Sequence, residues 1–281
     1  MGPTVGEWTA TFLPWSDGGM EERVARWEEL WAEPFVGWDF SEFEGRVEES
    51  QPPWSYEELV QHELTIAGSA LDLGTGGGEF LREIFADLPV EMHATEGWES
   101  NLPIAREALE PLGIEVRRYD AERDEALPYA DESVDLVLCR HEAYRASEVV
   151  RVLRPGGWFL TQQVDGRNLD DLAQVFGAGP AFPDITLAVL RAEAEEAGLI
   201  IEQALEWSGP IRFDSVETLV SYLRCMPWQL PDDFTIERYA EQLVALDDGA
   251  RPLEFTERRF LILAHRAAPD MPPADPFAAQ W

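Results

Sequence analysis

The stretch Ala70-Leu71-Asp72-Leu73-Gly74-Thr75-Gly76-Gly77-Gly78-Glu79-Phe80-Leu81 carries the clearest chemistry in the sequence. It reads as a strand, a glycine turn and a helix start. Glycines let the backbone turn sharply and let a ligand approach closer than a Cβ would permit, while the helix start offers free N–H groups to a carboxylate or phosphate. Taken alone, such a turn also suits a dinucleotide site or plain tight packing. The next apolar run, residues 91–95, ends at Glu96. A carboxylate at the C-terminal edge of a strand can accept both hydroxyls of a ribose lying across the strand ends, where open α/β sheets bind ligands; a solvated carboxylate in a polar turn is the plainer reading. Residues 134–138 then run into Cys139-Arg140-His141-Glu142. There His141 is the candidate general base or acceptor-orienting group, with Arg140 and Glu142 as polar partners, unless it only hydrogen-bonds backbone at a strand end.

Those residues need a scaffold, and the hydrophobic pattern supplies one. Ser55-Tyr56-Glu57-Glu58 has the S-x-x-E form of a capping box and predicts a helix to about Ile66. Short apolar runs at 70–73, 91–95, 115–119, 134–138 and 158–163 alternate with helical periodicity at 79–88 and 102–112. Strands alternating with helices imply βαβ units and a mostly parallel sheet. Beyond it the sequence predicts a helix at 187–197 stopped by Gly198, an apolar run at 199–205, helices near 216–224 and 236–246, and a last run at 260–264. Ahead of it, Met20, Val24, Trp27 and Trp31 fall on one helical face. The expected organisation is an N-terminal helical cap segment (1–54), a catalytic domain (55–266) with a helical cap insertion (213–250), and a Pro-rich tail (267–281). Trp8, Trp15 and Trp38-Asp39-Phe40-Ser41 from the first segment, with Tyr222, Met226, Pro227 and Trp228, would give the cap aromatic walls suited to a planar or hydrophobic acceptor.

Asp72-x-Gly74-x-Gly76-x-Gly78 resembles motif I of the class I S-adenosylmethionine (SAM)-dependent methyltransferases. Tyr119-Asp120-Ala121-Glu122, Leu127-Pro128-Tyr129 and Ser133-Val134-Asp135-Leu136-Val137 resemble that family's "D-A-x-x-L-P-F…S-F-D-L-V" block, and Arg151-Val152-Leu153-Arg154-Pro155-Gly156-Gly157 its "R-V-L-K-P-G-G" turn. The match covers residues 70–164 in the right order and is most similar to the UbiE-like, methyltransferase type 11 group. The resemblance implies a Rossmann-like class I fold: a mostly parallel seven-stranded sheet with an antiparallel last strand, flanked by helices, plus a helical cap. It implies SAM as cofactor, with Asp72, Gly74, Thr75 and Gly76 at its methionine end, Glu96 and Gly97 at its ribose, Trp98, Asp120 and Ala121 at its adenine, and Cys139 at the edge facing the methyl group. Arg140 and His141 are the catalytic candidates. Trp98 serves the core equally well on sequence grounds. The segment Cys-Arg-His-Glu lacks the Asn/Asp-Pro-Pro-Tyr/Phe turn of many methyltransferases acting on adenine or glutamine amino groups, which leaves a small organic acceptor as the expected substrate. A non-catalytic SAM-binding or scaffold protein, and a macromolecular methyltransferase, are the alternatives.

Composition bounds these readings. The chain has 281 residues, 45% of them hydrophobic, enough for one large α/β core. Its net charge is -34, and all 21 of its basic residues are arginine. So acidic a surface repels phosphate backbones at long range, and no nucleic-acid partner is expected. Cys139 and Cys225 lie in no Cys/His ligand spacing, so no metal is expected. With no apolar run of spanning length and no basic-then-apolar start, no membrane span and a cytoplasmic location are expected. The sequence leaves the oligomeric state open.

Overall fold

The computed structural model describes residues 17–34, 41–84, 90–249 and 253–268. Trp8, Trp15, Trp38, Asp39, Phe40 and nearly all of the Pro-rich tail lie outside the described residues. Among the described residues eight strands form one sheet: β1 (Val47–Glu49), β2 (Ser69–Leu73), β3 (Glu91–Glu96), β4 (Glu115–Arg118), β5 (Val134–Arg140), β6 (Leu153–Val164), β7 (Leu199–Phe213) and β8 (Glu254–Arg266). Their order is β1-β7-β8-β6-β5-β2-β3-β4. The pairs among β2 to β6 are parallel, and β8 runs antiparallel to both β6 and β7. This is the expected class, with one strand more than expected. The short β1, from the segment read as purely helical, adds to the free edge of β7. β7 also runs eight residues past the predicted run at 199–205, because Gly209-Pro210, which looks like a breaker, stays paired to β8 through Pro210↔Thr256.

The helices are α1 (Asp17–Ala32), α2 (Tyr56–Ile66), α3 (Glu79–Ile84), α4 (Leu102–Leu109), α5 (Ala146–Val152), α6 (Asp170–Ala173), α7 (Leu187–Ala197), α8 (Val216–Cys225) and α9 (Ala240–Asp247). Ser55 starts α2 as the spacing predicts: its hydroxyl accepts the Glu58 N–H at 3.1 Å, satisfying a donor that the first helical turn leaves free. α7 is capped by Thr186 and ends at Gly198 in the left-handed conformation.

Alternation along the strands divides the core. Ala70, Leu136, Leu138 and Leu160 face one side, packed with α2, α3 and α4; Leu71, Val137, Cys139 and Phe159 face the other, with α5 and α7. A third cluster gathers α1, α8 and α9 over the ends of β7 and β8 through Trp27, Leu219, Leu243, Phe213 and Phe255. Met20, Val24 and Trp31 pack against it, so the four-residue stripe read from the sequence does bury one face of α1. Both cysteines are free and buried.

The strand order sets the site. From β2 the chain winds outward to β3 and β4, then returns to place β5 on the other side of β2. The loops after β2 and β5 therefore leave in opposite directions, and a crevice opens at their C-terminal ends. Because Trp27 is fully buried, Trp27→Ala should cost about 3–5 kcal/mol of stability, measured by urea unfolding; Ser55→Ala should cost only about 1 kcal/mol.

Candidate active site

The turn after β2 is built by backbone geometry. Gly74 has φ +67°, a left-handed value that a side chain disfavours, and a Cβ there would overlap the side chain of Glu142. The Thr75 N–H donates to the Thr95 carbonyl at 2.9 Å, tying the turn to β3. Space is open beside Gly76. Its N–H donates to Glu96 Oε2 at 2.7 Å, and the Trp98 N–H donates to Glu96 Oε1 at 2.7 Å. Glu96, 3% exposed, thus clamps the turn after β2 to the turn after β3. Each of its oxygens keeps a second lone pair.

The turn after β3 leans on the one after β4. A Cβ on Gly97 would come within 2.7 Å of the Tyr119 carbonyl oxygen, so only glycine allows this approach. Asp120 Oδ1 accepts the Glu122 N–H at 3.0 Å, and Arg123 lies 3.4 Å from Oδ2. Ala121 is buried, and its carbonyl accepts from Arg145. Trp98 is 66% exposed, which rules out the core-packing reading of this side chain.

The turn after β5 aims Glu142 into the crevice. The His141 N–H donates to the Gln162 carbonyl at 2.9 Å, and φ of His141 is +60°. Cys139 Sγ donates to the Glu142 carbonyl at 3.2 Å, and Gln163 Nε2 donates to the same oxygen at 3.0 Å. Cys139 is fully buried, so its thiol supports this turn from the core side. The Glu142 side chain then lies on Gly74.

Three carboxyl groups, Asp72, Glu96 and Glu142, therefore converge on the glycine turn. Burial raises the pKa of Asp72 to about 7, with the Glu96 charge adding to the effect and Arg140 opposing it. Glu142 is likewise pushed up to about 7, by burial and then by Glu96, Asp120 and Glu122. Glu96 is also raised by burial, although the N–H groups it accepts pull against the rise. The buried hydroxyl-bearing side chains of Thr75 and Tyr56 lie near Asp72. The Arg140 guanidinium lies 5.2 Å from the Phe80 ring and 5.8 Å from that of Tyr56. His141 is an exposed residue, and its Nε2 lies 3.3 Å from Gln162 Nε2. Desolvation of the ring, followed by the positive charges of Arg259 and Arg140, lowers its pKa and leaves it neutral at pH 7.

Sequence reasoning brought Asp72, Gly74, Thr75, Gly76, Glu96, Arg140 and His141 to one crevice, with Gly97, Trp98, Asp120 and Ala121 along its β3–β4 side. It missed Tyr56, Phe80, Trp54 and Gln162, whose roles come from packing between α2, α3 and β6. The signal for Tyr56 was present in the capping box, which starts α2 where its first side chain meets the ends of β2 and β5. A hollow of about 340 Å³ lined by Glu63, Gly68, Asp135 and Gly157 lies at the opposite edge of the sheet and contains none of these groups. Among the described residues no His/Cys/Asp/Glu group could hold a metal ion, and no helix is long and apolar enough to cross a membrane.

Residues 71–161 match the family model described as a methyltransferase domain. These residues form a methyltransferase domain, similar to those of the class I SAM-dependent methyltransferases. The domain is similar to the malonyl-[acyl-carrier protein] O-methyltransferase of Methylococcus capsulatus, 31% identical over 45% of this chain and 48% of that protein. It is also similar to the biotin biosynthesis bifunctional protein BioHC of Teredinibacter turnerae, 28% identical over 50% of this chain and 29% of that protein. The chain thus spans less than half the length of these curated relatives. The crystal structure of YcgJ from Bacillus subtilis shares the fold, with a TM-score of 0.54 and 18% identity over 75% of this chain and 98% of that one. The cofactor of such methyltransferases is SAM, and this crevice suits it: open space at Gly76, buried hydroxyls beside Asp72, spare carboxylate lone pairs and an exposed indole.

The raised carboxyls of Asp72 and Glu142, together with Glu257, also pushed up to about 7 by burial, make stability depend on pH. Each holds a proton in the folded chain at a pH where the unfolded chain has lost it. Their contribution is fully present near pH 4 and is lost as the pH rises to about 7. Carboxylates held low by ion pairs, such as Asp135 and Glu148, act in the opposite sense only below about pH 4. The melting temperature should therefore fall by a few degrees between pH 5 and pH 8 in differential scanning calorimetry, and Glu142→Gln should flatten part of that slope.

Proposed function

We propose that this chain transfers the methyl group of SAM to a small organic acceptor, with Glu142, Asp72 and Glu96 forming an anionic seat for the cofactor's cationic part. The observation that carries this reading is the convergence of the three carboxyl groups on the glycine turn. Bound SAM would supply an electrophilic methyl on a positively charged sulfur. Asp72, Thr75 and Tyr56 are suited to its amino-acid end, the free lone pairs of Glu96 to its ribose, and Trp98 with Asp120 and Ala121 to its adenine. The work left to the protein is alignment and exclusion of water.

A small acceptor is favoured by the strong negative charge, which opposes nucleic acid. The relatives named for malonyl-[acyl-carrier protein] O-methylation and biotin biosynthesis add support, since neither name refers to a nucleic acid. In this reading the α1, α8 and α9 cluster and Trp228, 41% exposed, form a cap over the acceptor side.

SAM carries one more positive charge than its demethylated product, S-adenosylhomocysteine, so an anionic seat should prefer the donor. Equilibrium binding read by tryptophan fluorescence should show SAM bound more tightly than the product by wild-type protein. Glu142→Gln should cut that preference roughly tenfold, mainly by weakening SAM. Folded protein that binds neither nucleoside would refute the function, whereas an unchanged preference in the variant would refute only the role of Glu142.

A further inference from the structure

Trp54 immediately precedes α2, and its indole Nε1–H donates to Gln162 Oε1 at 2.8 Å. An indole nitrogen only donates, so the Gln162 amide is oriented with its oxygen toward Trp54 and its NH2 toward His141. His141 Nε2, 3.3 Å from that NH2, must then be the bare, accepting nitrogen. The ring is neutral at pH 7, so its single proton sits on Nδ1. A general base needs a bare nitrogen free for the substrate. Here one nitrogen is occupied by Gln162 and the other carries hydrogen, so His141 is a donor.

Arg140 completes the picture. It belongs to β5 beside His141, and its guanidinium rests over Phe80 and Tyr56 with no ion pair among the described residues. Arg259, the other cation near His141, is committed to Glu257 at 2.7 Å and Asn168 at 2.8 Å. Asp72 lies near enough to feel the Arg140 charge, but no hydrogen bond or ion pair joins the two among the described residues. In so acidic a chain, an arginine without a carboxylate partner beside a neutral N–H donor is a subsite for negative oxygen.

Resting on the methyltransferase reading of the site, we propose that the acceptor presents an anionic oxygen, a carboxylate or phenolate, held by the His141 Nδ1–H and the Arg140 guanidinium. Such an acceptor needs no base. An oxygen lone pair forms the new O–C bond while the donor's S–C bond breaks with its electron pair left on sulfur. The negative and positive charges cancel, and no proton moves.

The test uses protein labelled with 15N-histidine and loaded with S-adenosylhomocysteine, the four histidines being separated by comparison with His141→Gln. At pH 7 His141 should show a protonated Nδ1 and a bare Nε2. Trp54→Phe, which deletes the indole donor, should mix the two tautomers while product affinity holds. Sodium benzoate, added against benzylammonium at matched ionic strength, should shift the Nδ1–H signal, and Arg140→Gln should weaken that response roughly tenfold. A bare Nδ1 in the wild type, no response to benzoate, or a stronger response to benzylammonium would overturn the proposal. So would an Arg140→Gln variant that loses product affinity and keeps its benzoate response, since Arg140 would then serve the cofactor. Wild-type protein that fails to take up S-adenosylhomocysteine would instead strike the cofactor reading itself.

Discussion

The two backbone hydrogen bonds accepted by Glu96 are the constraint on which the site depends. They join Gly76 and Trp98, on the two turns that in the proposed reading hold opposite ends of one extended ligand, through a single buried carboxylate. Hydrogen bonds to a charged acceptor are stronger than neutral ones, and here they also offset the cost of burying the charge. Glu96 therefore shapes the crevice before any ligand arrives. Removing its carboxylate would strand two N–H groups and loosen both turns together. Structure and binding cannot be separated at this residue, whereas the Glu142 side chain only packs against the Gly74 turn and reports more cleanly on the proposed ligand.

The electrostatics of the crevice differ from those of the surface. Most arginines are consumed by ion pairs on an acidic exterior, as with Arg23, Arg151 and Arg212. Exposed pairs of this kind add little stability. Inside the crevice the signs are sorted: carboxyls gather at the glycine turn, while Arg140 sits on aromatic rings beside the neutral His141. Two substrates of opposite charge could thus be brought together on adjoining walls.

Much of this was legible in the sequence because it is local. The glycine spacing, the carboxylate ending β3 and the S-x-x-E box act within a few residues, and the alternation of strands and helices fixed the parallel core. The edge strand β1 was not legible, since three residues carry no periodicity and gain their structure from β7. The continuation of β7 through Gly209-Pro210 was hidden for a similar reason: pairing with β8 overrides the local breaker. The donor role proposed for His141 was not legible, because its tautomer depends on Gln162 and Trp54, which are 21 and 108 residues from their respective partners in the chain. No spacing rule reaches across such separations.

The central claim is that raised carboxyl groups form a seat for a cation at the glycine turn, and calorimetry measures this directly. SAM would be titrated at pH 7 in two buffers of different ionisation enthalpy. A bound positive charge should force Asp72 and Glu142 to ionise, so binding should release a proton fraction that approaches one and shrinks in Glu142→Gln. Binding of SAM with no net proton release, or with proton uptake, would contradict the account.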